Sequence, residues 1–332
     1  MPHTYDFSPL EVDFMHSPHS MDGPRLCLTK AVSILLTLAV GSLPLTAVWA
    51  DVAIEMVTVG DAGNIPNADG LGAVPYTYRI GTYEVSIGQY TEFLNAAAAS
   101  DPYGLYNDMM ARSAHVAGIE QLGASGSYTY RVLGSALRPI TYVSWWDAAR
   151  FCNWLHNGQG SGSTEEGAYR LKGAVEGIPP QASEAARFTI PTEHEWFKAA
   201  FYKGGSTHAG YWTYATQSDE VPGNGNQGGK NRVNYRAKGR FCTTQKPTFS
   251  KEDAYLTDAG LFSESPSAYG TFDQQGNVQE WNDLNGLAIE ARGIRGGSWY
   301  QGSFFLNLRN AASSPNDENN ITGFRVASPH AD

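Results

Sequence analysis

Three stretches of this 332-residue chain carry the pattern of an amphipathic helix, and long polar stretches rich in Gly, Ser and Asn separate them. The first opens at Ser86, where Gln89 follows at capping-box spacing, and the third opens at Thr192, with Glu195 at the same spacing. The second opens at Ser144, ahead of a run with apolar residues on one helical face. So few helices in a chain with 36 Gly and 18 Tyr predict an α+β fold with little regular secondary structure, and they exclude a helical bundle.

Short apolar runs between the helices are typical of β-strands, at residues 76–80, 140–143 and 323–327. The polar, turn-rich stretch 217–250 has the composition of a linker between two domains. However, no independent core pattern resumes after it, because the remaining segments are short and rich in Gly and aromatic residues. We therefore interpret this stretch as a long surface loop and predict a single domain over residues 51–332.

The first fifty residues resemble an export signal. Arg25 and Lys30 precede an apolar run that ends in Ala47-Val48-Trp49-Ala50, with small residues at the third and first positions before Asp51. A membrane anchor is the alternative, but Gly, Ser and Pro interrupt the run at residues 41–44. We predict a signal peptide at residues 21–50, cleavage after Ala50, no stable membrane span after cleavage, and export to the periplasm or the extracellular space. Residues 1–20 are either a leader or a misassigned start, with translation beginning at Met21.

Charge and cysteine content restrict the function further. Residues 51–332 hold 29 Asp or Glu and 21 Lys or Arg, without a continuous run of Lys and Arg. This acidic balance argues against nucleic acid as a partner and is compatible with divalent cations. The same residues contain Cys152 and Cys242. In an exported chain the two could form a disulfide, or Cys152 could be a small buried residue of the second helix.

Six segments, spread over residues 83–327, carry a more specific signal than the helices do. They are Tyr83-Glu84-Val85, Val143-Ser144-Trp145-Trp146-Asp147-Ala148, Ile190-Pro191-Thr192-Glu193-His194-Glu195-Trp196, Tyr269–Trp281, Arg295-Gly296-Gly297-Ser298-Trp299 and Gly323-Phe324-Arg325-Val326. In this order and spacing they resemble the formylglycine-generating enzyme, or sulfatase-modifying factor, family. The resemblance implies a variant of the C-type-lectin-like fold, which agrees with the loop-rich α+β pattern.

The resemblance also implies a structural Ca²⁺ site. The matching ligands are the side chains of Asp273 and Glu280 and the carbonyls of Gly276 and Val278. Hard Ca²⁺ prefers such a mixture of carboxylate and carbonyl oxygens, and it tolerates irregular geometry. The alternative is that Glu280 caps backbone amides. A second family Ca²⁺ site would use Asn234 and the carbonyl of Tyr235, where the loop matches less well.

The catalytic residues of the family are the point where the sequence departs from it. The family oxidises a substrate cysteine with O₂ at a copper(I) ion that two cysteines bind, and soft thiolates suit Cu(I). The matching positions here are Gln301 and Leu306, and neither side chain is a thiolate ligand. The resemblance therefore does not support copper as a cofactor of this chain.

Two functional hypotheses follow. The first is a non-catalytic, Ca²⁺-stabilised binding module for a protein, peptide or glycan ligand. Its predicted contact residues lie in the segment after the Gly-Gly-Ser motif: Trp299, Tyr300, Gln301, Asn307 and Arg309. The second is a divergent formylglycine-generating oxidase that acts on a cysteine of sulfatase-type substrates through other metal ligands.

Overall fold

The structure, a computed structural model, describes residues 51–307 and 311–330. The predicted leader and signal peptide lie outside the described residues, and so does Arg309. The N-terminal boundaries and the export prediction therefore stay predictions. Within the described ranges, no helix has the length and the hydropathy needed to cross a membrane.

All three predicted helices form, and all three begin at the predicted cap. Ser86, Ser144 and Thr192 each accept a hydrogen bond from the backbone of the third helical residue, whose side chain bonds back to the cap. The described part of the chain contains two further helices, each a single turn. The helices are α1 (Ile87–Ala97), α2 (Met109–Arg112), α3 (Trp145–His156), α4 (Glu193–Phe201) and α5 (Ser303–Leu306).

Within residues 51–307 and 311–330, nine short strands form three separate sheets. The strands are β1 (Met56–Val59), β2 (Tyr78–Gly81), β3 (Ile119–Leu122), β4 (Thr129–Val132), β5 (Gln279–Asn282), β6 (Arg292–Arg295), β7 (Ala311–Ser313), β8 (Thr322–Gly323) and β9 (Ala327–Ser328). One sheet has the order β1-β2-β9, the second is the hairpin β3-β4, and the third has the order β7-β6-β5-β8. In the first and third sheets, strands from distant parts of the sequence pair, so residues near both ends of the described chain meet.

The predicted strand at 140–143 is wrong. Tyr142 has φ +57°, a left-handed conformation that an extended strand does not contain. Its backbone N–H donates to the Asn319 carbonyl, 2.9 Å away, and not to a neighbouring strand. The predicted run 323–327 is also divided, because it contributes its first residue to β8 and its last to β9.

The largest hydrophobic core lies between α1 and α3. Every residue of α3 except the last is buried, and aromatic rings from both helices pack edge to face, as Phe93 does with Phe151 at 5.4 Å between centroids. Cys152 belongs to this core, and Cys242 is buried elsewhere; both are free thiols, so the two do not form a disulfide. Mixed helices and short strands joined by long loops confirm the α+β prediction.

Candidate functional site

The turn that carries the predicted Ca²⁺ ligands is held by backbone bonds to two other segments. Gly276 N–H donates to the Gly296 carbonyl at 2.9 Å, and Asn277 N–H donates to the Asn234 carbonyl at 2.7 Å. Gly276 has φ +78°, and a Cβ at this position would collide with the backbone oxygen of Asn234. Only glycine fits there, because the conformation and the close approach both exclude a side chain. The turn is therefore held in position by two other segments of the chain.

Glu280 lies at the base of this turn, in β5, and is completely buried. Arg325 donates to both of its carboxylate oxygens, from Nε to Oε2 at 2.6 Å and from Nη2 to Oε1 at 2.7 Å. The indole N–H of Trp196 donates to Oε2 at 2.7 Å. These bonds use three of roughly four lone-pair directions of the carboxylate. Glu280 is therefore fixed by a bidentate ion pair and not by a capping interaction with backbone amides.

Two more buried carboxylates lie near this ion pair. Asp273 accepts a hydrogen bond from Gly260 N–H at 2.7 Å, and burial raises the pKa of its carboxyl to about 6. Glu84 is 2% exposed, and neither of its carboxylate oxygens has a hydrogen-bond partner among the described residues. Burial, with Asp273 and Glu280 adding to it, raises the pKa of Glu84 well above its usual value. Three carboxylates thus share one guanidinium.

The residues of this buried group offer oxygen ligands of the type that Ca²⁺ takes, but both Glu280 oxygens already accept hydrogen bonds from Arg325. Burial raises the pKa of Glu84 and of Asp273, which favours their neutral forms, so a bound cation would have to offset the cost of ionising them. Within the described ranges, no group of three or more His, Cys, Asp or Glu side chains is arranged to hold a metal. The predicted set differs from such a group, because two of its four ligands are carbonyls. It stays a prediction.

Asn234, predicted for a second Ca²⁺ site, is bound to the same turn. Its amide Nδ2 donates to the Tyr255 carbonyl at 2.9 Å and to Asn277 Oδ1 at 3.0 Å. Tyr235 is buried, and its hydroxyl donates to the Pro222 carbonyl at 2.6 Å. The structure therefore places Asn234 against the turn of the first predicted site, where it contacts Asn277.

The segment after the Gly-Gly-Ser motif contains the two positions that match the family's thiols. Leu306 is buried, and its side chain packs with Tyr214, Val233 and Tyr235 in a small apolar cluster. Gln301 is half-buried, and its Oε1 accepts a hydrogen bond from Ser298 Oγ at 3.2 Å. One position is thus part of a core, and the other is held by a neighbouring hydroxyl.

The predicted ligand residues do not all reach the surface. Trp299 is 1% exposed and donates its indole N–H to the Asn320 carbonyl at 3.0 Å. Tyr300 is half-buried, Asn307 is exposed, and the Asn307 Oδ1 atom accepts a bond from Gln275 at 2.7 Å. Trp299 therefore lies beneath the predicted ligand surface, and Tyr300, Gln301 and Asn307 are the predicted residues that solvent reaches.

Behind Tyr300 lies a cluster of aromatic rings that we call the aromatic cluster, and most of it was not predicted from sequence. Trp299 stacks on a tyrosine at 5.0 Å between centroids, and Tyr300 lies 5.8 Å from a partly exposed phenylalanine. The members come from three segments that are distant in sequence: His115, Phe241, Phe249, Tyr255, Trp299 and Tyr300. They fix the position of the segment that begins at Trp299.

Sequence comparison and structural comparison identify the same fold. The sequence profile of the sulfatase-modifying factor enzyme 1-like domain matches residues 72–329. The crystal structure of CarF has a TM-score of 0.51 at 21% identity, covering 84% of this chain and 99% of that one. At this identity the likeness supports the fold alone.

Two further solved structures match less closely. Variable protein 1 of Treponema denticola has a TM-score of 0.46 at 20% identity and covers 85% of this chain and 97% of its own. PvdO of Pseudomonas aeruginosa has a TM-score of 0.40 at 18% identity and covers 83% and 91%. No curated protein sequence matches the chain.

Proposed function

The chain belongs to the family of sulfatase-modifying factor enzyme 1-like domains, and we propose that it is an exported, non-catalytic, Ca²⁺-stabilised member that binds a ligand. Its ligand surface is the segment around Tyr300, Gln301 and Asn307. The observation that carries the proposal is the burial of Leu306 in an apolar cluster, at a position where the family has a metal-binding thiol.

The chemistry of the remaining thiols supports the same conclusion. Burial raises the pKa of the Cys242 thiol to about 12 and raises that of Cys152 well above its usual value. A cysteine binds copper(I) as the thiolate, and a thiol of this kind stays protonated near neutral pH. Cys152 also lies in the core between α1 and α3, away from solvent. Neither thiol is suited to replace the missing pair.

A copper titration tests the non-catalytic assignment. We expect the purified protein to lose a competition for Cu(I) against a colorimetric chelator, because no pair of thiolates is accessible in the described part of the chain. A matched control carries Gln301→Cys and Leu306→Cys together, which places thiols at both family positions, and we expect it to gain Cu(I) affinity. Tight stoichiometric binding by the unaltered protein would contradict the proposal and favour the divergent oxidase.

The Ca²⁺ part of the proposal has a separate test. Asp273, Glu280 and the carbonyls of Gly276 and Val278 would hold the ion, which would neutralise the buried carboxylates and stiffen the turn. A ligand present at a hundred times its Kd stabilises a protein by about 2.7 kcal/mol. Melting curves with excess Ca²⁺ and with chelator should then differ by about 5 °C or more for a domain of this size. Equal melting temperatures in both conditions would contradict the proposal that Ca²⁺ stabilises the fold.

A further inference from the structure

One segment of this acidic protein carries a net positive charge. Residues 221–251, which we call the basic segment, contain seven Lys or Arg and no Asp or Glu. The remainder of residues 51–332 holds 29 acidic and 14 basic side chains. Charges of one sign, collected on one part of a surface, create a local potential that attracts ligands of the opposite sign. The basic segment is therefore a candidate contact surface of its own.

The cations of the basic segment are not neutralised within the fold. Five of them are exposed: Lys230, Lys238, Arg240, Lys246 and Lys251. None of the seven forms an ion pair with any carboxylate in the part of the chain that the structure describes. Arg240 donates instead to the Gln245 carbonyl at 2.9 Å. Their charge is left available to a partner.

The basic segment lies directly against the proposed ligand surface. Arg236 N–H donates to the Gln301 carbonyl at 2.9 Å, and the Arg236 guanidinium lies 4.9 Å above the Phe241 ring. Ala237 packs in the same cluster as Leu306, the last residue of α5. Ala237 also pairs with Arg240 across a tight turn that contains Lys238. The basic segment and the ligand segment therefore adjoin at Arg236 and Ala237.

Two adjacent phenylalanines give this surface an apolar part. Phe304 is 72% exposed and Phe305 is 38% exposed, and both belong to α5. Their rings stand at 86° to each other with 5.6 Å between centroids. Folded proteins seldom leave neighbouring aromatic side chains in water without a role in binding. Perpendicular rings form a notch for an apolar side chain, and they do not form the single flat platform on which a sugar ring stacks.

We propose that the partner on this surface is an acidic peptide segment that also carries apolar side chains, an inference that rests on the proposed function. The Phe304–Phe305 notch takes the apolar side chains, and Lys238, Arg240 and the neighbouring lysines pair with the acidic ones. An apolar centre with a charged rim is the usual anatomy of a protein–peptide contact. Rim charges of this kind select the partner and speed its association.

A peptide-display selection on the purified protein tests the charge of the partner and assumes nothing about its sequence. A library of random twelve-residue peptides is selected at low salt and sequenced. We expect the enriched peptides to carry more Asp and Glu, together with Leu or aromatic residues, than the input library. Their affinity should fall about tenfold between 50 mM and 300 mM NaCl, because exposed charge pairs are screened by salt. Enrichment of neutral or basic peptides, or no enrichment, overturns the inference.

Variants distinguish a specific surface from general electrostatic attraction. A triple variant with Lys238→Ser, Lys246→Ser and Lys251→Ser should bind the selected peptides about tenfold more weakly. Phe304→Ser alone should also lower the affinity for these peptides. The control neutralises Lys172 and Arg187, two exposed cations outside the basic segment, and the loss of affinity is compared per charge removed. An equal loss per charge in the control and in the triple variant contradicts the inference.

Binding to other polyanions is measured as a competing outcome. Stronger binding to phosphatidylglycerol vesicles or to dextran sulfate than to any selected peptide would assign the surface to a membrane or to a glycan. Either result would overturn the inference that the partner is a peptide. The copper titration reports on the proposed function independently. A protein that binds no Cu(I) and selects neutral peptides keeps the proposed function and loses only this inference.

Discussion

Replacement of Arg325 by Met provides a quantitative test of the buried site. Arg325 is completely buried and makes two bonds to Glu280 and further bonds to the carbonyls of Gly81 and Phe272, both at 2.9 Å. Its removal leaves the Glu280 carboxylate buried without a counter-charge. Breaking a buried ion pair in this way costs about 3–5 kcal/mol. We therefore expect Arg325→Met to lower the free energy of unfolding by that amount.

Urea denaturation followed by tryptophan fluorescence measures this change, provided that the m-value stays the same. The double variant Arg325→Met with Glu280→Gln should recover part of the loss, because the amide carries no charge. The matched control is Arg131→Met, which removes an exposed ion pair with Glu120 and should cost less than about 1 kcal/mol. A loss below about 1 kcal/mol for Arg325→Met, or no recovery in the double variant, would refute the reasoning.

Three further predictions concern individual side chains. Burial raises the pKa of the Glu318 carboxyl to about 8, above its unfolded value, so its contribution to folding stability is full at low pH and is lost as the pH rises through 8. Glu318→Gln should then be more stable than the parent at pH 9, by about 1–2 kcal/mol, and equally stable at pH 4. Equal stability of the two proteins at pH 9 would contradict this assignment. Leu306→Ala should cost about 2–4 kcal/mol in urea denaturation, whereas Phe304→Ala on the same helix should change stability by less than about 0.5 kcal/mol, and a similar cost for both would contradict the burial difference. Gly276→Ala should unfold the turn, seen as a lower melting temperature, because its Cβ would collide with the Asn234 carbonyl; an unchanged melting temperature would show that the turn can move.

Local sequence patterns predicted the helices well, because a cap is a local interaction. Ser86, Ser144 and Thr192 each satisfy backbone N–H groups within three residues, and the structure confirms all three starts. The strand at 140–143 was wrong, since periodicity does not report the long-range bond that draws Tyr142 into a left-handed conformation. The family resemblance is confirmed by the profile match over residues 72–329.

The candidate site was only partly predictable. Asp273 and Glu280 stand in one turn and were found from the motif, but Glu84 and Arg325 are 241 residues apart and meet only in the folded chain. Both are charged residues inside short apolar segments, which is the signal that could have indicated a buried ion pair. The basic segment was missed because its seven cations are dispersed among Gly, Asn and Thr and do not form a continuous run.

Incubation with a substrate peptide tests the central claim most directly. The purified protein is incubated with copper, O₂ and a cysteine-containing sulfatase-type peptide, beside an active formylglycine-generating enzyme, and the peptide mass is followed by mass spectrometry. With Gln301 and Leu306 at the thiol positions, we predict that the peptide cysteine stays unmodified while the control enzyme converts it. Conversion of the cysteine to formylglycine by this protein would contradict the account and would mean that other residues build its oxidase site.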